Sequence, residues 1–366
     1  MKKLLIIMLL AVLLLTSCAS EETPPEESPT LPPVEIITPT PTPTPTPIST
    51  PTPTETPVYE GAYNPLSGLP IDESGVNKRP LAIVINNRKI SLPQLGIAAA
   101  DIIFEVPVEG AYTRMLAIFQ DVTDAGNIGS VRSARPYFID IAQSFDAIFI
   151  HAGGSPAAYT LMKSRGISRF DGVNGPGSNM YFRDSQRQRT MGYEHSLLTS
   201  TSKINDYIDT LGYRLEHETD YTEPFTFAEE QKITGEKAAT VTVKFNSSKS
   251  SSFEYNADDG LYYASQQGGK YVDGNGGTQL SFANIIIIET TVKVLDSDGR
   301  LGIDMTRGGA GFYAVGGLYE PITWEKSSDS APFIFRNEKG DKITLRTGKT
   351  YVAVISTSAS AEFAEA

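Results

Sequence analysis

Between residues 19 and 57 the chain places 13 of its 24 prolines and 11 threonines, around a TPTPTPTP core and without a single Lys or Arg. Proline fixes φ and has no N–H to donate, so such a stretch enters neither a helix interior nor a central strand. It predicts an extended polyproline II spacer. At about 3.1 Å per residue it reaches on the order of 120 Å. Its Ser/Thr/Pro composition is also that of stalks that accept O-glycans. Everything able to bury a core must therefore lie beyond it, from residue 58 onward.

What precedes the spacer reads as an export signal. Residues 1–18 are MKKLLIIMLLAVLLLTSC: Lys2 and Lys3, then an apolar run over 4–15. That run is too short to cross about 30 Å of hydrocarbon comfortably and has the length of a signal-peptide core. Leu15-Thr16-Ser17-Cys18 resembles the lipobox of bacterial lipoproteins. The resemblance implies cleavage before Cys18, a thioether from its thiol to diacylglycerol, and acylation with a fatty acid such as palmitate. Two acyl chains anchor durably where one is marginal. The expectation is a lipoprotein signal peptide (1–17), then a lipidated Cys18 and tether (18–57). The protein would sit on the outer face of the cytoplasmic membrane, stood off into a Gram-positive envelope.

Cys18 is the only cysteine, which excludes a disulfide framework, a Cys-based zinc cage and a CxxC redox site. Formal net charge is −12; loss of Lys2 and Lys3 makes it −14, and the six tether glutamates leave about −8 on the remainder. A general nucleic-acid binder is disfavoured, because phosphate backbones need a basic face. So is adhesion to anionic lipid through bulk charge.

The remainder predicts a mixed α+β protein: an N-terminal α/β layered domain over 58–230 and a mainly antiparallel β domain over 231–357. In the first, near-continuous apolar runs at 81–85, 102–108, 115–119 and 147–150 suit strands covered on both faces. Helices are expected over 135–145, over 201–211, and from Ser155 (N-cap) and Pro156 (first turn) to a stop at Gly166. In the second, strands recur between glycine-rich turns, with a hairpin turning at Asp259-Gly260. A sandwich or partly closed barrel follows. The loops around Asp273 and Asp296 read as turns, not calcium sites. The tail 358–366, small and polar, is expected to be disordered.

Three groups of residues carry candidate chemistry. In FIHAGGSP, a strand ends at His151 and a helix begins after Gly153, Gly154 and Ser155, so the turn could hold an anionic or carbonyl group at the helix start. In GSVRSARPY, Arg132 and Arg135 could clamp an anion, or pair with Glu105 and Glu109, which interrupt an apolar strand. Together with Arg114 these would form one polar network facing a cleft. The long segment 168–198 adds Arg183, Asp184 and His195; convergence of His151, His195 and Glu105 would permit general acid–base work. His217, among charges, reads as a surface residue. There is no GxSxG, HExxH or P-loop lysine, so no cofactor and no metal are expected.

The segments NPLSGLP (64–70), RPLAIVINN (79–87), ADIIFEVPVEGAYTRMLAIFQD (100–121), IGSVRSARPYFIDIA (128–142), FDAIFIHAGGSPAAY (145–159), FRDSQR (182–187), YEHSLLTST (193–201) and RTGKTYVAVIS (346–356) resemble the YerB-type bacterial lipoproteins. The resemblance implies a two-domain exported lipoprotein and supplies no activity. The expected role is binding of an envelope component, either wall glycan or peptide or another envelope protein, through the Arg/Glu/His cleft. The alternatives are a hydrolase acting on wall polymer and an interaction scaffold without a small-ligand site.

Overall fold

The computed structural model describes residues 61–365; the expected signal peptide, Cys18 and tether lie outside the described residues. An 11-stranded mixed sheet occupies the centre. Its order is Glu236–Lys237, Leu318–Glu325, Gly309–Val315, Asn284–Thr290, Thr350–Ser356, Ile102–Pro107, Thr113–Phe119, Leu81–Asn86, Ile148–His151 and Arg169–Asp171, with Ile334–Asn337 paired to 318–325. Strand 350–356 sits in the middle, parallel to 284–290 on one side and to 102–107 on the other. The sheet is therefore shared by both sequence halves, and the boundary expected after residue 230 is not a break in it.

Period-two alternation divides the buried residues between two faces. Ile83, Ile85, Ile103, Met115, Ala117, Ile285, Ile287, Tyr351 and Ala353 face one core. Ala82, Val84, Phe104, Leu116, Ile118, Ile286, Ile288, Val352 and Val354 face the other. Against the first packs a six-stranded antiparallel sheet, ordered Gly269–Lys270, Leu261–Gln266, Lys249–Asn256, Thr240–Asn246, Ser360–Ala364, with Ser281–Phe282 on 261–266. Phe253 of this sheet meets Tyr351 of the central one with ring centroids 4.5 Å apart. The second face is covered by helices Pro136–Gln143 and Pro156–Ser164, which supply Tyr137, Phe138, Ile141, Ala158 and Met162. The architecture is strand-rich with few helices.

The second helix forms as its sequence predicts: Ser155 accepts from Ala158 N, Pro156 opens it, and Gly166 at φ +62° lies just past its end. The 259–260 turn joins strands 249–256 and 261–266 in register. Asp273 accepts N–H bonds from Gly96, Ala98 and Asn275, so its carboxylate fastens loops together. One expectation fails: within the tail expected to be disordered (358–366), the described residues 358–365 are ordered. Ser360–Ala364 pairs with 240–246 along five residues, and Phe363 stacks on Tyr319 at 3.7 Å. The two-residue alternation of Ala361 and Phe363 gives that strand an apolar face despite its polar composition.

Candidate functional site

The predicted network of Glu105, Glu109, Arg114, Arg132 and Arg135 does not form as one unit. Glu105 pairs in the sheet with Met115, one residue from Arg114, so the side chains of Glu105 and Arg114 lie on opposite faces. Glu105 is fully buried between the two sheets. There it meets Lys249 Nζ at 2.9 Å and accepts from Asn87, Thr113, Ser251 and Tyr351. Burial would raise its carboxyl, but Lys249 and these donors outweigh burial and hold it below the usual range. It is sealed there and cannot serve either histidine as a catalytic partner.

The glycine turn is likewise closed on itself. His151 is buried, with Nδ1 2.8 Å from Gly153 O and its ring stacked on Phe149. Burial holds it below its ordinary value, against the pull of Asp171 at 3.9 Å. It is therefore neutral, with the proton on Nδ1. Asp171 accepts from Gly153 N, Val173 N and the Tyr159 hydroxyl, which fixes the loop. Gly153 adopts φ +73°, open to glycine without penalty. Gly154 packs its backbone against Tyr159 and Ala134, and Ser155 spends its hydroxyl on the helix cap. Asp184 does the same for helix Ser185–Met191, accepting from Arg187 N. His217, expected at the surface, has a side chain only 4% exposed, stacked on Tyr221 and bonded to Asp146.

What the fold does bring together is arginine. Arg132 lies in a stretch inserted between strands 81–86 and 148–151, its N–H on Val84 O and its carbonyl on Ala152 N. That position delivers Arg132 and Arg135 beside Arg114, at the start of strand 113–119. Arg135 forms a two-point pair with Glu109, Nε–Oε1 2.5 Å and Nη2–Oε2 2.9 Å. Arg132 donates to the carbonyl and the carboxylate of Glu194, at 2.7 and 3.1 Å. Its Nε is buried without an acceptor. Among the described residues Arg114 has no carboxylate within 4 Å, although Glu109 attracts it from farther off, and its one hydrogen bond runs from Nη1 to Ser133 O, 2.8 Å. Burial first, then the charges of Arg135 and Arg132, depress it to about 9, still protonated at neutral pH.

Beside this trio lies a rim. Glu194, about half exposed, gathers Arg88 at 3.3 Å, Arg132, and His195 Nε2 at 3.1 Å. His195 Nδ1 faces Asn86 Nδ2 at 2.8 Å, so Nδ1 accepts and Nε2 carries the proton toward Glu194. Burial lowers His195; Glu194 opposes, and Arg132 and Arg88 reinforce. Arg88 stacks over Tyr112 and Arg183 over Tyr193, at 4.5 and 3.4 Å. The two tyrosines are 42% and 62% exposed, which makes them surface platforms. His151 and His195 thus have separate partners, and only His195 belongs to this patch. Arg88, Asn86 and Glu194 were not legible as site residues; the one local signal was Glu194 next to His195.

Elsewhere a cleft of ≈ 620 Å³ is lined by Arg79, Asp146, Arg165, Arg214 and Tyr221. Its arginines are matched: Arg79 and Arg214 to Asp146, Arg165 to Asp140 and Asp329. Its volume exceeds what its chemistry offers a ligand, and the arginine trio is the stronger candidate.

Residues 66–214 match the model of the N-terminal domain of DUF3048, a protein family of unknown function, and residues 241–352 match that of its C-terminal domain. A Bacillus subtilis (strain 168) protein named "Putative lipoprotein YerB" is 31% identical over 294 residues, 80% of this chain and 85% of that one. The crystal structure of YerB protein from Bacillus subtilis superimposes with a TM-score of 0.72 at 29% identity, covering 82% of this chain and 99% of that chain.

Proposed function

This chain belongs to the DUF3048 family, and from that membership we propose that it is a lipid-anchored extracytoplasmic module that binds a component of the cell envelope through the arginine patch around Arg114. The lipoprotein name of its relative and the lipobox at Cys18 support the anchor. The observation that carries the binding reading is Arg114 itself. It is a half-buried guanidinium beside two like charges, and the carboxylate that attracts it, Glu109, is already paired with Arg135, so an outside anion would add the counter-charge that the chain supplies only in part. Two of the four arginines Arg88, Arg114, Arg132 and Arg135 exceed the carboxylates Glu109 and Glu194 in charge, on a globule that is otherwise acidic. Such local inversion selects anionic partners. Glu105 and His151 are buried with their own partners, so of the three residues named for the hydrolase reading only His195 stands at the patch.

The test is co-sedimentation. The mature chain with Cys18→Ala, free of lipid, should pellet with isolated sacculi or envelope fragments and be released by raised salt. If it stays in the supernatant with every envelope fraction, the binding reading is wrong.

A further inference from the structure

We infer that Arg114, Arg132 and Arg135, at the open N-terminus of helix 136–143, form a site for a phosphate group, and that Glu194 is an internal anion standing in for part of that ligand. The inference rests on the envelope-binding reading and specifies its chemistry.

Four observations converge. Arg135 is the N-cap residue of the helix, yet no side chain caps it, and Pro136 follows. Pro136 has no N–H and Phe138 N–H is spent on Arg135 O, so the helix start adds the Tyr137 N–H and its partial positive charge beside the arginines. Arg132 Nε is buried and without an acceptor, and Arg114 has placed one N–H on protein and left four. These donors come from three chain segments: strand 113–119, the 130–134 stretch and the helix start. The site's own carboxylates are already committed, Glu109 to the fork of Arg135 and Glu194 to Arg132, Arg88 and His195.

The geometry selects among anions. A carboxylate has two coplanar oxygens and satisfies one guanidinium fork well, as Glu109 does. Donors arriving from three directions need an acceptor whose oxygens also diverge. A tetrahedral phosphate, as monoester or diester, has that shape, and arginine is suited to it. Glu194 behaves differently from Glu109. It is 54% exposed where Glu109 is 17% exposed, and it holds three donors on the solvent side of the site. Displaced by an incoming phosphate, it would release Arg88 and the outer edge of Arg132 to the ligand. The stacked Arg88–Tyr112 and Arg183–Tyr193 pairs then flank the bound chain, offering faces to a polyol or sugar backbone.

The same chemistry can come from a wall-type phosphodiester polymer, a lipid headgroup or free phosphate, and three probes separate them. The mature Cys18→Ala chain is titrated with a glycerol phosphate oligomer, with inorganic phosphate, and with phosphatidylglycerol vesicles. Tighter binding of the oligomer than of phosphate identifies a polymer; arginine-dependent sedimentation with vesicles identifies a headgroup; equal affinity for oligomer and phosphate identifies the free ion. In each case Arg114→Gln and Arg132→Gln should weaken binding about tenfold or more. Glu194→Gln should tighten it about threefold or more, because it removes the competing anion and keeps the side-chain volume. Should Arg114→Gln fail to fold, Arg132→Gln and Glu194→Gln carry the test. Absence of binding to all three probes, or affinities unmoved by Arg132→Gln and Glu194→Gln, overturns the assignment. Sacculus binding that survives both arginine substitutions would overturn this site and the placement of binding on the arginine patch, and would leave only envelope binding itself standing.

Discussion

Glu105 and Lys249 meet at 2.9 Å between two sheets, each with a side chain at most 4% exposed. Removing one member strands the other charge in the interior, which costs about 3–5 kcal/mol. Lys249→Met should therefore lower unfolding free energy by about that much in urea denaturation, whereas Lys249→Met with Glu105→Leu should recover most of it. A single substitution that costs under about 1 kcal/mol would mean that Glu105 is protonated and the pair unimportant. His151 makes a pH prediction. Its folded value lies below the ordinary 6.5, for reasons of burial, with Asp171 and Arg169 as the charged groups that act on it. The unfolded chain then takes up the proton first, so stability is full above 6.5 and falls as pH drops from there through the folded value. Thermal melts between neutral and mildly acid pH should show this decline, and His151→Leu should flatten it. An unchanged slope would point to other groups.

Among elements, those with a local physical cause were legible. Four strands announced themselves as apolar runs because both of their faces are covered. The helix after Ser155 was readable from its cap, its proline and its glycine, each acting within one turn. Ser155→Ala should cost about 1 kcal/mol of stability, and Gly166→Ala a similar amount because φ is +62° there. Denaturant midpoints measure both. The helix at Thr201–Tyr207 is shorter than the 201–211 its spacing suggested. What eluded the sequence depends on distant partners. Lys249 stands among serines in NSSKSSS, and nothing local says that it is buried or that it answers Glu105. The arginine trio was half legible: Arg132 and Arg135 announced an anion clamp, but strand alternation sends Glu105 to the far face, and Glu194 arrives from a loop far along the chain. The tail strand was hidden by composition. Deletion of 358–366 uncovers strand 240–246 and removes Phe363 from Tyr319 and Phe312. It should lower the melting temperature by several degrees and promote association through the bared edge. A tail-deleted chain with an unaltered melting curve would show that the pairing contributes nothing.

At the scale of the whole molecule, two family domains share one sheet. Strand 350–356 pairs with 284–290 along its whole length and with 102–105 through its first four residues. A fragment ending at residue 230 would expose strand 102–107 along that edge and lose the apolar cover that the second sheet provides. Expressed alone, 58–230 should be insoluble or lack dispersed amide signals, and co-expression with 231–366 should restore solubility. An independently folded fragment would refute this dependence. Contacts between residues so far apart in sequence also imply slow folding, since the closure entropy precedes the reward.

The order of those strands has a further result during protein synthesis. A ribosome releases Leu81–Asn86, Ile102–Pro107 and Thr113–Phe119 long before it decodes Thr350–Ser356, the strand that borders 102–107. Until then strand 102–107 has its partner 113–119 on one side and a bare edge on the other. A chain cut short before residue 350 would leave both 102–107 and 284–290 with uncovered edges, so completion of the sheet waits for the end of the chain.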